Sequence, residues 1–276
     1  MIDRRSVLAG VGAFAAGAAI SPAWARKGAG LDPGNREDLL TALAKLRGAT
    51  DGRLVIGYIV GARHAVPEHR AIPMMGILAA TFSRYQRISE DAFAISALEI
   101  AYFTDLYTGR LLEKWKNPVT GAVVDVPPTR MGPSRATMTV DGLNVAAPSG
   151  DARGLKLQHI FQKPVTVGDN VWITEQVNVE GPPGPKAFVY NEFTTLYGRK
   201  CELDDPARAT VATQVQYQSL ITYRPWMGFG DTPGHTLARG AGQHVARIED
   251  LPPYFIELTR SFHPDVIEDP LGALDG

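Results

Sequence analysis

Long segments in which apolar and polar residues alternate constrain the fold of this chain most strongly. From residue 54 onward the hydrophobic period is two, the period of a β-strand with one buried face. The run at residues 54–60 is also rich in β-branched side chains, which favour strands. Comparable runs lie at residues 98–106, 111–116, 122–126, 171–179, 187–196 and 211–223. The sequence therefore predicts a mainly β protein.

Two tight turns divide residues 98–126 into three strands. Residues 107–110 (Tyr-Thr-Gly-Arg) suit a bulged hairpin, and residues 117–121 (Asn-Pro-Val-Thr-Gly) form a second turn. We expect these strands to form an antiparallel meander. Because closure removes the exposed edges of a sheet, we expect the whole set of strands to form a large antiparallel β-barrel or a strongly curved, calycin-like sheet.

Helices are predicted at both ends of the β-rich region. Asn35 is a suitable N-cap and Gly48 a suitable C-terminal cap for an N-terminal helix. Leucines at positions 39, 40, 43 and 46 share one face of this helix, which we expect to pack on the outside of the main body. Pro252 and Pro253 begin a short C-terminal helix, since proline is tolerated in the first turn.

The first twenty-five residues have the layout of a bacterial export signal. Arg4 and Arg5 precede an uncharged run at residues 7–20, and residues 23–25 (Ala-Trp-Ala) have the small-x-small pattern of a cleavage site. The paired arginines indicate the twin-arginine route, with its export machinery as a partner. We therefore expect cleavage after Ala25, a periplasmic location, and one β-rich domain at residues 26–276.

Composition argues against several other classes of protein. The uncharged run of 14 residues is shorter than the ~20 that a membrane span needs, so we expect no stable membrane insertion. With 28 basic and 29 acidic residues and no basic run, the chain lacks the electrostatic pattern of a nucleic-acid-binding protein. Its single cysteine cannot form an intramolecular disulfide, which fits a chain that folds before export.

Two segments resemble a known bacterial family. The first reads Tyr-Phe-Thr-Asp-Leu-Tyr-Thr-Gly at residues 102–109 and Trp-Lys-Asn-Pro-Val-Thr-Gly at 115–121. The second reads Tyr-Arg-Pro-Trp-Met-Gly-Phe-Gly at residues 223–230, followed by Gly234 and by Leu-Pro at 251–252. Together they resemble the bacterial domain-of-unknown-function family 1838, whose members often carry twin-arginine signals. The resemblance implies a lineage but no reaction and no catalytic residue.

Common cofactor and metal motifs are absent from the sequence. There is no Gly-x-Ser-x-Gly elbow, no Walker A loop and no His-Glu-x-x-His pattern. The glycines at 228, 230 and 234 lack the spacing of a dinucleotide site. Histidines 64 and 69 flank Glu68 in one predicted loop, and His235 and His244 share another, but neither pair has the spacing of a recognisable metal site. We therefore assign no cofactor and no metal.

Carboxylates on apolar faces are the sharpest signal for chemistry. Glu175 and Glu192 lie in the middle of predicted strands, on faces otherwise occupied mostly by Val, Ile, Phe or Tyr. Burial in a barrel would raise the pKa of such a carboxyl and suit it to acid–base catalysis. The candidate catalytic residues are Glu192, His235 and His244. The residues expected to bind a ligand are Tyr102, Trp115, Glu175, Tyr190, Arg224, Trp226 and Met227.

Three functions remain open from the sequence. The first is an exported periplasmic protein that holds a hydrophobic or aromatic small molecule in a β-barrel pocket. The second is a cofactor-independent lyase, isomerase or hydrolase that uses a buried Glu or His. The third is a non-catalytic structural or partner-binding protein, which would have no sizeable cavity and an exposed apolar patch.

Overall fold

The computed structural model describes residues 30–32, 34–145, 155–182, 184 and 187–275. The predicted export signal at residues 1–25 lies outside the described residues. The strands are β1 (Leu54–Val66), β2 (Ile72–Ser89), β3 (Ala92–Thr104), β4 (Lys114–Lys116), β5 (Val123–Asp125), β6 (Thr129–Thr139), β7 (Gly142–Val145), β8 (Lys156–Phe161), β9 (Val165–Val167), β10 (Asn170–Glu180), β11 (Val189–Arg199), β12 (Gln214–Thr222) and β13 (His235–Val245). The helices are α1 (Arg36–Arg47), α2 (Lys200–Asp204), α3 (Pro253–Phe262), α4 (Pro264–Glu268) and α5 (Pro270–Asp275), with 3-10 turns at Pro225–Met227 and Ile248–Asp250.

Eleven of the described strands form one antiparallel sheet that curls into a nearly closed barrel. The strand order is β7-β6-β3-β2-β1-β13-β12-β11-β10-β8, and β9 pairs with β10. The two end strands, β7 and β8, lie side by side: a Cβ placed on Gly142 would be 2.6 Å from the carbonyl oxygen of His159. The predicted mainly β fold with a large curved sheet and helices near both ends is confirmed.

The predicted three-stranded meander is wrong. Strand β3 passes into the barrel, whereas β4 and β5 form a separate two-stranded hairpin. Among the described residues, only an isolated bridge between Thr104 and Leu111 links this region to the end of β3. The long excursion lets the hairpin fold across one end of the barrel instead of extending its wall.

Helix α1 closes the opposite end of the barrel. Its N-cap is Asn35, whose side-chain oxygen accepts hydrogen bonds from the amides of Glu37 and Asp38, as predicted. Its leucines pack against inward-facing barrel residues, so the expectation that it packs on the outside is wrong. The apolar groups in contact there include Leu40, Leu43, Leu46, Tyr85, Phe93, Ile95, Ile173, Leu196 and Val215.

The C-terminal helices cover the outer face of β1, β2 and β3. Tyr102 lies on that outer face, fully buried against Phe255 of α3, with ring centroids 5.6 Å apart. Because one face packs inside the barrel and the other packs under helices, β3 is apolar on both sides. Among the described residues, no helix is long and apolar enough to cross a membrane.

Candidate functional site: a cavity inside the barrel

A cavity of about 290 Å³ lies inside the barrel, between helix α1 and the end covered by the β4–β5 hairpin and the Pro225–Met227 turn. Its walls are inward-facing side chains from most of the strands. The apolar part of the lining includes Ile59, Ile77, Ala79, Ile95, Phe103 and Val215. Apart from Arg135 and Arg239, the charged side chains of the lining occur in two groups, one toward each end of the cavity.

Glycines bring β1 and β13 close together where they form part of the cavity wall. Gly61 and Gly240 are cross-strand partners, and both line the cavity. A Cβ on Gly61 would lie 2.1 Å from the carbonyl oxygen of Arg239, closer than any real contact. The approach of these strands therefore requires glycine at Gly61, and this section of the wall presents no side chain to the cavity.

The first charged group, the Arg63 end, comprises Arg63, Glu99, Tyr190, Glu192, Tyr217 and Arg224. Arg63 is 7% exposed, and its guanidinium carbon lies 5.2 Å from the centre of the Phe103 ring. Its Nε and Nη1 atoms are buried without a hydrogen-bond partner, and so is the Nε of Arg224. Arg63, Glu99, Glu192 and Tyr217 line the cavity directly.

The two carboxylates of the Arg63 end differ in how they are held. Glu192 accepts hydrogen bonds from the hydroxyls of Tyr190 and Thr194, the latter at 3.0 Å. Tyr217 donates to Ser219 at 2.8 Å. Glu99 has no hydrogen bond or ion pair to any described residue, although it lines the same cavity. Glu99 is therefore the carboxylate that faces the cavity without a partner.

Burial shifts the pKa values of several residues at the Arg63 end. Withdrawal from water raises the pKa of Glu99 to about 7, and the nearby Glu192 adds to that shift while Arg224 and Arg63 oppose it. Burial also lowers the pKa of Arg63 to about 10, helped by repulsion from Arg224. The pKa of Tyr217 rises to about 12, first through burial and then through Glu192. A carboxyl that titrates near neutrality inside a cavity marks a candidate functional site.

The second charged group, the Arg47 end, comprises Arg47, Tyr85, His159, Glu175 and His244. Arg47, the last residue of α1, forms a buried ion pair with Glu175 and donates to the Tyr85 hydroxyl at 3.1 Å. His159 Nε2 lies 2.9 Å from Glu175 Oε2. In contrast to Arg63, Arg47 has side-chain partners for both its Nε and its Nη1 atoms.

Both histidines of the Arg47 end are held neutral. Burial lowers the pKa of His159 to about 3 and that of His244 to about 4, and the positive charge of Arg47 adds to both shifts. The Nδ1 atom of each is buried without a hydrogen-bond partner. Since Nε2 of His159 faces the Glu175 carboxylate, the proton of its neutral imidazole resides on Nε2.

Several residues predicted as site residues do meet at the cavity. Glu175, Glu192 and His244 line it. Tyr190 lies beside Glu192 and donates a hydrogen bond to it. Arg224 is close enough to influence the ionisation of Arg63 and Glu99.

The other predicted residues lie away from the cavity lining. Tyr102 is on the outer face under α3. Trp115, in the β4–β5 hairpin, donates to the carbonyl of Met74 at 3.2 Å. Trp226 packs on Phe103 at 5.5 Å and so supports the cavity wall from behind, and Met227 is fully buried beside it. His235 begins β13 and is not among the lining residues; it and His244 belong to a strand, not to the predicted loop.

Sequence reasoning missed three residues that the structure places at the site: Arg47, Arg63 and Glu99. A signal existed for Glu99, because it is the only charged residue in the apolar run of β3. No comparable signal existed for Arg47, which reads as an ordinary basic residue in the last turn of a helix. Among the described residues, no group of three His, Cys, Asp or Glu side chains is arranged to hold a metal ion.

The part of the chain that matches a known family covers most of the barrel. A family model described as "Protein of unknown function (DUF1838)" matches residues 61–275. The matched range includes the whole Arg63 end, whereas Arg47 of helix α1 lies before it. No curated protein matches the chain.

Proposed function

We propose that the barrel cavity of this protein holds a small, largely apolar molecule. The chain belongs to the DUF1838 family of proteins of unknown function. The observation that carries this proposal is the cavity of about 290 Å³ with mostly apolar walls and a few charged groups. Small-molecule sites have this composition, in which apolar walls supply affinity and a few polar groups fix orientation.

The closed ends of the barrel support the same function. Helix α1 packs into one end, and the hairpin with the Pro225–Met227 turn covers the other. A molecule between them is partly shielded from water, so burial of its apolar surface favours binding. A purely structural role predicts that side chains fill the barrel interior. The observed cavity does not fit that prediction.

A cavity-filling variant tests the proposal. Ala79 lines the cavity between Ile59 and Ala101, its cross-strand partners. We expect 3-phenylpropan-1-ol to bind the native protein, as measured by calorimetry, and Ala79→Phe to weaken that binding at least tenfold because the phenyl ring occupies the space. Native mass spectrometry of the purified protein tests in parallel for a retained molecule.

The matched control is Ala241→Phe. Ala241 is exposed on the outer face of β13, so the same substitution leaves the cavity unchanged. We expect this variant to bind like the native protein. Equal loss in both variants, or equal binding by both, would place the ligand outside the cavity.

The proposal includes export to the periplasm by the twin-arginine route, supported by Arg4, Arg5 and the cleavage pattern that ends at Ala25. Replacing both arginines with lysine should leave a folded precursor in the cytoplasm, detected by fractionation and immunoblotting. Continued export of the double variant would contradict this route.

A second candidate function, acid–base catalysis, is favoured by one observation: Glu99 faces the cavity without a partner, and its pKa is raised to about 7. A suitable probe is 5-nitrobenzisoxazole. The carboxylate would take the C3 proton, the C3–N bond would become a nitrile as the N–O bond breaks, and the oxygen would leave as a phenolate. Saturable turnover that rises through pH 7 and is lost in Glu99→Gln supports catalysis; turnover unchanged in that variant excludes Glu99 as the base.

A further inference from the structure

We propose that the molecule held in the cavity is a monocarboxylic acid with an apolar body, and that its carboxylate binds Arg63. This inference rests on the proposed function and names the chemical class of its ligand. It concerns the Arg63 end of the cavity, defined above.

The first argument is that Arg63 is buried without a partner. It is 7% exposed, Nε and Nη1 are buried with no hydrogen bond, and no described carboxylate forms an ion pair with it. Its contact with Phe103 satisfies none of these donors. Buried guanidinium groups in folded proteins are normally paired, because an isolated buried charge is costly. Since Arg63 lines the cavity, an anion there can supply the missing partner.

A second guanidinium strengthens the positive potential. Arg224 precedes the Pro225–Met227 turn, and its Nε is also buried without a partner. Arg63 and Arg224 are close enough for their charges to repel. Two unpaired cations at one end of an apolar cavity favour a ligand with a negative end.

The nearby carboxylates do not already fill this role. Both oxygens of Glu192 accept hydrogen bonds from hydroxyls, those of Tyr190 and Thr194. Glu99 is half protonated near pH 7 because of its raised pKa. As a neutral acid it can donate a hydrogen bond to the ligand carboxylate, and the two cations then face a single resident anion. One additional negative charge balances the site.

The rest of the lining fixes the other part of the ligand. The walls beyond the Arg63 end include Ile59, Ile77, Ile95 and Val215. Two further arginines touch the cavity: Arg135 is engaged by Asp275 and Ser96, and Arg239 is an exposed residue. A hydrocarbon chain or a single ring matches this surface. The predicted ligand is therefore a small aliphatic or aromatic acid rather than a polyanion.

Proton linkage gives the proposal a pH signature. A bound carboxylate favours the protonated form of Glu99, so its affinity must fall as pH rises through the pKa of that residue, about 7. If binding requires the protonated form, affinity at pH 8 is about tenfold weaker than at pH 6. A neutral ligand of the same shape lacks this dependence.

The experiment compares three probes that differ only in their polar end. Calorimetry measures the dissociation constants of 3-phenylpropionate, 3-phenylpropan-1-ol and 3-phenylpropylamine at pH 6 and pH 8. We expect the acid to bind at least tenfold more tightly than the alcohol at pH 6, and the amine to bind most weakly. We expect only the acid to weaken at pH 8.

Three variants separate charge recognition from folding. Arg63→Met removes the guanidinium but keeps an apolar side chain of similar length, so alcohol binding should persist while the preference for the acid disappears. Glu99→Gln should retain acid binding and lose its pH dependence. Arg110→Met, at an exposed position on the β3–β4 connection, should behave like the native protein.

Each outcome decides the question. Preference for the acid that depends on Arg63 supports the inference. Equal or tighter binding of the alcohol or amine overturns the inference but leaves the cavity proposal intact. Absence of binding by all three probes overturns the proposed function itself.

Discussion

Arg47 and Arg63 both line the cavity of one barrel, but their surroundings differ. Arg47 is held by Glu175 and Tyr85, whereas no described residue forms a hydrogen bond or ion pair with Arg63. A buried charged side chain with protein partners stabilises the fold, whereas one without protein partners remains available to bind a ligand. We therefore expect the Arg47 end to contribute to stability, whereas the Arg63 end is the part of the cavity proposed above to bind a ligand.

Loss of Glu175 should destabilise the protein. Glu175→Gln leaves Arg47 as a buried cation without an anionic partner, and breaking a buried pair in this way costs about 3–5 kcal/mol. Chemical denaturation measures the free energy of unfolding. Asp125→Asn breaks the exposed pair with Lys114 and should cause no measurable change. Equal effects of the two variants would contradict the structural role of Glu175.

The buried histidines should make stability depend on pH. In the folded protein the pKa values of His159 and His244 lie near 3 and 4, below the ordinary value of about 6.5. As pH falls below 6.5, the unfolded chain gains protons that the folded chain excludes, so unfolding becomes easier. The raised pKa of Glu99 acts in the opposite sense over this range.

A histidine variant isolates this effect from that of Glu99. The difference in unfolding free energy between His244→Gln and the native protein should change by on the order of 1–2 kcal/mol between pH 7 and pH 5, in favour of the variant. His69→Gln, at an exposed position in the β1–β2 connection, is the control. A constant difference across this range would show that His244 is not excluded from protonation.

Individual site residues were predictable where one face of a strand was visibly apolar. Glu175 and Glu192 interrupt such faces, and both line the cavity. Glu99 was missed because β3 is apolar on both faces, so its inward face does not stand out. Arg63 was missed because β1 was predicted to end at residue 60, whereas pairing with β13 extends it to Val66.

At the scale of elements, α1 shows how far local sequence determines position. Its caps and apolar face follow from the sequence, but a helix with one apolar face packs equally well on the outside of a sheet or into a barrel end. The choice depends on the inward residues of distant strands, such as Ile173 and Val215. Such long-range partners are not visible in the helix itself.

Truncation of a buried leucine in α1 should therefore weaken the whole barrel. Leu43 is fully buried among inward barrel residues, so Leu43→Ala should lower the unfolding free energy by about 2–5 kcal/mol. Leu39 lies on the same helix but is only partly buried, and Leu39→Ala should cost clearly less. Denaturant titration compares the two. A reversed order would contradict the barrel-plug arrangement.

At the scale of the whole molecule, the barrel has one seam. Strands β7 and β8 lie side by side, but among the described residues no ladder of backbone hydrogen bonds joins them. Every other pair of neighbours along the path β7-β6-β3-β2-β1-β13-β12-β11-β10-β8 is hydrogen-bonded. The seam is therefore the weakest part of the wall.

Hydrogen exchange should detect this seam. Amides of β7 and β8 should exchange faster than those of β1, which is paired on both sides by β2 and β13. Mass spectrometry of peptic fragments in D2O measures the difference. Equal protection of β1, β7 and β8 would indicate a fully closed cylinder.

The pairing of β1 with β13 also determines when the barrel can close during protein synthesis. These strands lie near opposite ends of the sheet-forming sequence, at Leu54–Val66 and His235–Val245. After β1 leaves the ribosome, one of its edges stays unpaired until β13 follows, about ten to forty seconds later at ordinary translation rates. During that interval, the unpaired edge of the nascent β1–β2–β3 sheet can form backbone hydrogen bonds with strands of other chains. Completion of this barrel therefore waits for β13, the last strand of the described sheet.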